Sequence, residues 1–283
     1  MGISVLIHTY NEEKNIRNCL ETVKWADEIV IVDMYSTDNT VDIAKEYTDK
    51  IFYFEYCGYV EPARKFGVEN TSEEWVLVVD ADELVPLKLK EKVMEIMEED
   101  IADVVYIPHN NYFFGRLLKG TGWGALQDKH PRFFKKKFVS FSEAVHNIFK
   151  IDKSARIYYI KDPEAGFIHF NFVDVEHFLE KLNRYTTIEA LNMYNGIKSK
   201  PNFVKLVLKL LREFIFRLLK GKGYKDGYYG FCLTMLMLAY HVSSYLKYKL
   251  MENYSSTNPR QEILKEYERI ARSIIKEYQN EFT

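Results

Sequence analysis

The chain is poor in residues that announce chemistry or compartment on their own. Its 283 residues include three cysteines, Cys19, Cys57 and Cys232. Their spacing matches no metal or redox motif, and the odd count argues against a disulfide framework, so a reducing compartment is expected. The first apolar run, residues 3–7, lacks the basic flank of a secretory leader, which gives the expectation of a cytoplasmic chain. The polar turn that follows, HTYNEE, contains no glycine. A glycine-rich phosphate cradle of the dinucleotide-binding type is therefore excluded there. Internal repeats and low-complexity tracts are absent, and a composition of 47% hydrophobic and 28% charged residues excludes a disordered chain.

Charge is scarce in total and uneven in place. The net value is −2, yet residues 198–250 carry eleven Lys or Arg against two acids, Glu213 and Asp226, a local +9 that leaves −11 elsewhere. Such asymmetry points to a polyanionic partner near the C-terminus. Residues 203–219 interleave leucine, valine, isoleucine and phenylalanine with Lys205, Lys209, Arg212 and Arg217, the composition of a helix lying in a membrane interface. Leucine and isoleucine stand where polar groove-reading residues would be needed, so no nucleic-acid partner is expected. Residues 227–246 are uncharged apart from His241 and reach the roughly 20 residues that a span needs. Tyr228, Tyr229, Ser243 and Ser244 within them suit a packed or interfacial helix better. The expectation is peripheral attachment to the inner face of the cell membrane; a helical subdomain, a dimer interface and a true span are the alternatives.

The first hundred residues alternate between two periods. Short apolar runs at 3–7, 29–32, 51–54 and 76–79 read as strands. Helical spacing joins Ile16, Cys19, Leu20 and Val23, with Asn11 as the expected cap, and further helices are predicted over 41–46, 62–70 and Leu87–Glu98. Alternating strands and helices with continuously apolar strands predict an α/β fold, a mostly parallel sheet with helices on both faces. Residues 103–170 read as shorter, aromatic-rich strands around Gly115, Gly120, Gly122 and Gly124, the expected acceptor side. The expected division is a catalytic domain over 1–172 and a helical, membrane-associating region over 173–283.

Ligands of such sheets bind beyond the carboxyl ends of the strands. Three polar clusters follow strands here: HTYNEE, Asp33 in IVDMYSTDNT, and Asp80-Ala81-Asp82-Glu83. If the strand continues into Asp80, Asp80 and Asp82 project to one side, because strand side chains alternate. Two carboxylates so placed repel unless a cation lies between them, and oxygen ligands of this kind suit Mg²⁺ or Mn²⁺ beside nucleotide phosphates. The plainer reading of DADE is a solvated acidic turn. Ser36, Thr37 and Asp38 are expected to shape the turn into the next helix.

HTYNEEKNI, IVDMYSTDNT, EEWVLVVDADE and GYKDGYYG, as an ordered set, resemble a family-2 glycosyltransferase of the GT-A fold, in the subgroup similar to lipopolysaccharide-core β-glucosyltransferases. The resemblance covers roughly residues 1–250. It implies inverting transfer of a hexose, glucose in this subgroup, from a UDP-sugar donor to a saccharide or glycolipid acceptor, with a divalent metal. Thr9, Tyr10, Glu12 and Asp33 would hold the nucleotide, and Asp80 would serve the donor with Arg64 of EPARKFG. The subgroup has asparagine after that arginine, where Lys65 stands here. Asp82 would anchor the metal, with His146 as a further candidate ligand. The general base would be Asp128 of GALQDKHPRFF, ahead of Arg132, or Glu143 of FSEAVHNIF; the subgroup reads His-Glu where this chain has His146-Asn147. The rival readings are a sugar-1-phosphate nucleotidyltransferase, which would need a glycine-rich basic loop that HTYNEE lacks, and a non-catalytic membrane scaffold that binds sugar nucleotides.

Overall fold

The computed structural model describes residues 2–56, 61–141 and 149–281; Glu143 and His146 lie outside them. The described strands are β1 (Ile3–Thr9), β2 (Glu28–Asp33), β3 (Ile51–Tyr53), β4 (Trp75–Asp80), β5 (Glu83–Leu84), β6 (Val104–Phe113), β7 (Arg116–Leu117), β8 (Lys129–Lys135), β9 (Val139–Phe141), β10 (Phe149–Ile151), β11 (Ile157–Tyr159) and β12 (Phe167–Phe172). The helices are α1 (Ile16–Glu21), α2 (Thr40–Ala44), α3 (Glu61–Glu69), α4 (Leu87–Glu98), α5 (Val175–Tyr194), α6 (Phe203–Ile215), α7 (Tyr228–Tyr254) and α8 (Pro259–Glu281).

The main sheet runs β3-β2-β1-β4-β8-β6-β12-β5, with β7 and β11 also paired to β6. Strands β3, β2, β1 and β4 are parallel. Strand β8 runs antiparallel to both β4 and β6, and β12 is parallel to β6. Strand β1 is buried at every position, as expected of a central strand covered on both faces. Its period of two divides the core. Ile3, Val5 and Ile7 pack with Leu20 of α1 and with Leu89, Val93 and Ile96 of α4. Leu6, with Val30, Val76 and Val78, packs on the other face with Ala63 and Val68. Each such side chain contributes about 1.5–3 kcal/mol by leaving water. Trp75 and Phe133 stack across β4 and β8, ring centroids 4.4 Å apart.

Chain contacts separate two units, Met1–Val175 with Arg217–Gly230, and Glu176–Phe216 with Phe231–Thr283. The return of 217–230 to the first unit has a physical basis in the glycine-bearing loop 119–124. Asp226 accepts hydrogen bonds from the backbone N–H groups of Lys119 (2.7 Å) and Gly120 (2.8 Å). Arg217 donates to the Thr121 carbonyl at 2.8 Å and lies 4.2 Å over the Trp123 ring. A Cβ on Gly120 would fall 2.2 Å from the Lys222 carbonyl oxygen, so only glycine lets the two backbones meet.

Gly120→Ala is accordingly expected to destabilise the chain by about 1–3 kcal/mol, the usual effect of overpacking. It would be read as a lower denaturant midpoint with unchanged slope; an unaltered midpoint would show that the two segments are not held together.

Candidate active site

Strand register brings the first set of predicted residues to one edge. Thr9 pairs with Asp33 across β1 and β2, and His8 pairs with Asp80 across β1 and β4. Asp33 and Asp80 thus end strands two positions apart, about 10 Å at ordinary strand spacing. Asp33 is 0% exposed, and its carboxylate accepts from the Ser36 N–H (2.8 Å) and hydroxyl (2.5 Å). Ser36 and Asp38 shape the turn as expected, Asp38 accepting from the Thr40 N–H and hydroxyl. Tyr10 stacks on Tyr56 with centroids 4.1 Å apart. The Glu12 N–H donates to the Thr40 hydroxyl at 2.7 Å.

Asn11 is not the cap of α1. It sits at φ 55°, the left-handed region that asparagine tolerates, and the helix begins after Asn15. Its side-chain oxygen instead accepts from the Thr37 N–H at 2.7 Å, tying the β1 and β2 loops together.

The acidic cluster also departs from expectation. Strand β4 reaches Asp80, as expected, but it ends there and Asp82 lies in the turn before β5, so strand alternation does not extend to the second carboxylate. Asp80, with a side chain 26% exposed, receives Arg132 Nη2 at 2.5 Å and has Arg64 Nη2 at 3.9 Å. Arg132 Nη2 also lies 3.4 Å from Glu83 Oε1. Glu83 is fully buried; its Oε2 accepts the Asp80 N–H at 2.8 Å, and His109 Nε2 lies 3.1 Å from Oε1. The cation between the paired carboxylates is therefore Arg132, and the second carboxylate is Glu83. Burial by itself would raise the Asp80 pKa, but the Arg132 and Arg64 guanidiniums hold it well below the ordinary carboxylate range. His8, buried beside these groups, is depressed to about 3 by desolvation and by Arg64.

A second network joins Asp82 to Asp128. Asp128 Oδ2 accepts from Asn111 Nδ2 at 2.7 Å, and its Oδ1 lies 2.8 Å from His130 Nε2. Asn111 Oδ1 lies 2.7 Å from His169 Nδ1, and His169 Nε2 lies 3.6 Å from Asp82 Oδ2. Hydrogen positions follow from chemistry. A carboxylate only accepts, so Asn111 turns its amide N–H to Asp128 and its oxygen to His169. His169 must then donate from Nδ1. A neutral ring in that tautomer would face Asp82 with an Nε2 lone pair. Only a proton on Nε2 or a cation between the two makes that approach favourable. Burial opposes a charged ring, yet Asp82 raises the His169 pKa above its ordinary value.

Among the described residues no group of three or more His, Cys, Asp or Glu side chains is gathered as a metal cage. Asp82 offers oxygen and His169 nitrogen; a Mg²⁺-type site takes one or two carboxylates and completes its shell with substrate phosphates, which Asp82 fits, and a Mn²⁺ site also accepts the imidazole. Asn111 Oδ1 fixes the His169 tautomer that leaves Nε2 free toward Asp82, as a metal-binding histidine requires. The residues present fit a divalent ion.

The family described as Glycosyl transferase family 2 matches residues 4–152. The chain belongs to this family. That match takes in Asp33, Asp80, Asp82 and Asp128, and the enzyme is a glycosyltransferase. It is 27% identical over 250 residues to an uncharacterized glycosyltransferase of Rickettsia felis, covering 83% of this chain and 84% of that one. It is 25% identical over 249 residues to the lipopolysaccharide core biosynthesis glycosyltransferase LpsC of Rhizobium meliloti, covering 85% and 89%. The mannosyltransferase PcManGT of Pyrobaculum calidifontis, solved with GDP-Man and Mn²⁺, shares the GT-A fold, with TM-score 0.50, 15% identity and coverage of 87% and 86%.

Glu83, His109, Asn111, His130 and His169 were not singled out from the sequence. The available signal was the polar run His109-Asn110-Asn111 inside an otherwise apolar strand, since buried polar groups persist where they are bonded to one another.

Asp128 gives a pH prediction. Burial would raise its pKa, but the His130 and Asn111 donors depress it to about 2, against roughly 3.9 in an unfolded chain. The folded value is the lower one, so this contribution is complete above about pH 4 and is lost as pH falls toward 2, on the order of 2 kcal/mol. Asp128→Asn should remove that part of the acid slope of unfolding free energy, followed by denaturant titration at successive pH values; an unchanged slope would refute the bonding.

Proposed function

We propose that this glycosyltransferase is an inverting, metal-dependent hexosyltransferase. It takes glucose from UDP-glucose and places it on a saccharide or glycolipid acceptor of the cell envelope, working at the inner face of the membrane. The observation that carries this reading is the hydrogen-bonded series His169–Asn111–Asp128–His130 with Asp82 Oδ2 3.6 Å from His169 Nε2, which brings the donor-side carboxylate next to the network of the candidate base. Similarity to LpsC supports the acceptor class. For the membrane, the support is the basic, apolar composition of α6; no described helix is long and apolar enough to cross a bilayer.

In this reading Thr9, Tyr10 and Glu12 hold the nucleoside at the β1 edge, and Asp33 reaches it through the Ser36 turn. Asp80, clamped by Arg132 with Arg64 at its other side, fixes the donor sugar. Asp82 would hold Mg²⁺ or Mn²⁺, with His169 as a nitrogen ligand in the Mn²⁺ case and His146 a further candidate ligand outside the described residues. When bound, the ion neutralises charge on the diphosphate leaving group. The acceptor hydroxyl attacks the anomeric carbon as the bond to diphosphate breaks, and its proton passes to Asp128. Asp128 is ionised at neutral pH, as a base must be, and its His130 partner keeps one oxygen oriented. Glu143, the rival base, lies outside the described residues.

The test is a screen of UDP-, GDP- and dTDP-sugars with Mg²⁺ or Mn²⁺ and membrane lipid extract. Transfer from UDP-glucose is expected, as is its loss in Asp82→Asn with the fold intact. Retention of most activity in that variant would overturn the assigned role, and release of pyrophosphate from a nucleoside triphosphate would replace the reading with nucleotidyl transfer.

Asn111→Ala should weaken Mn²⁺ binding about 10–100-fold, the usual effect of losing a second-shell partner. Titration calorimetry with UDP present reads this without turnover. Unchanged affinity would show that His169 is not a ligand.

A further inference from the structure

The helical unit, Glu176–Phe216 with Phe231–Thr283, contains a cavity of about 490 Å³ lined by α5, α6, α7 and the segment 198–201. One wall is cationic. Lys205, Lys209 and Arg212 line it, at spacings of four and three residues that put them on one face of α6. None of the three forms an ion pair among the described residues. Like charges at that spacing repel and weaken a helix, and among the described residues Lys209 is offset only by Glu189, whose pKa its charge helps to lower. The cavity's carboxylate, Glu189, is already engaged, with Lys198 Nζ at 3.3 Å and the Ser244 hydroxyl at 2.7 Å.

Two further observations point to an amphiphilic anion. His241, also in the lining, has a side chain only 10% exposed; neither ring nitrogen makes a hydrogen bond among the described residues, and Nε2 lies 3.8 Å from Glu213 Oε1. The outer surface of α6 is apolar and uncovered. Phe203 is 65% exposed, and Val204, Val207, Leu208, Leu211 and Ile215 are exposed with it. Leu208 belongs to both the apolar stripe and the cavity lining, so the cationic wall and the apolar surface adjoin.

We propose that this cavity is a headgroup site for an anionic phospholipid. The phosphate sits against Lys205, Lys209 and Arg212, and the acyl chains follow the apolar stripe of α6. The inference rests on the membrane-side reading above and adds a defined site to it: a bounded pocket rather than a diffuse charged surface. Charge complementarity selects the phosphate, and the exposed stripe selects a lipid over a free anion.

The full chain would be co-sedimented with phosphatidylcholine vesicles with and without phosphatidylglycerol. Binding only to the anionic vesicles is expected. Replacing Lys205, Lys209 and Arg212 together by Gln should lower the partition coefficient on the order of a hundredfold, about fivefold per cation. The same charge loss on α8, Lys265→Gln with Arg269→Gln and Lys276→Gln, should change it less than about threefold, since those residues lie outside the lining. Equal losses in the two triple variants would mean a diffuse field and overturn the site. Binding of glycerol phosphate without vesicle binding would assign a free-anion pocket and overturn the lipid. Circular dichroism checks folding of each variant. Hydrolysis of UDP-glucose without lipid is scored separately, so failure of the transferase reading and failure of the lipid site are read apart.

Discussion

Arg132 is the residue on which the catalytic edge depends. Its side chain, 8% exposed, lies between Asp80 and Glu83, and Nε and Nη1 find no hydrogen-bond partner among the described residues. Three charges drawn out of water are tolerable only together. Removing one partner of such a buried set leaves an uncompensated charge, which is severely destabilising, whereas the intact set is worth little in net stability. What the arrangement provides is position. Arg132 on β8 holds the last residue of β4 and the first of β5 in one geometry, and the turn carrying Asp82 is pinned at both ends.

Asn111 does for the second network what Arg132 does for the first. An amide has two different faces, and both are used, the N–H toward Asp128 and the oxygen toward His169. That polarity dictates which His169 nitrogen carries hydrogen and leaves the other facing Asp82. The same side chain thereby orients the candidate base and prepares the candidate metal ligand. In the reduced dielectric of a largely buried strand, such bonded chains are stronger than in water, and breaking one link leaves its neighbours unsatisfied.

The donor side was legible in the sequence because it is local. Each of Thr9, Asp33 and Asp80 ends an apolar run, and parallel strands deliver such ends to one edge without further information. The helix Leu87–Glu98 was legible for the same reason, with Leu89, Val93, Ile96 and Met97 buried on one face. Asn11 was misread because its side chain is claimed by Thr37, distant in sequence, rather than by the adjacent helix. The alternation of Asp80 and Asp82 was misread because nothing in VVDADE marks where the ladder stops. His169 and Asn111 were not found because their meeting depends on β12 pairing with β6, an order that hydrophobic period does not encode.

The position of Asp128, His130 and Arg132 follows from one reversal in strand direction. Strand β8 pairs antiparallel with β4, Trp75 opposite Lys135 and Leu77 opposite Phe133. The end of β4 therefore meets the start of β8, where Asp128, His130 and Arg132 lie. A parallel β8 would have delivered Lys135 to Asp80 and carried Asp128 to the opposite edge. Strand β6 is antiparallel to β8 in turn, with Pro108 opposite Lys129, so its end, His109–Asn111, returns to the same edge. Strand β12 runs parallel to β6 and sets His169 opposite Asn111. The parallel strands bring Thr9, Asp33 and Asp80 to one edge, and one inverted strand beside them brings Asp128, the candidate base, to the same line.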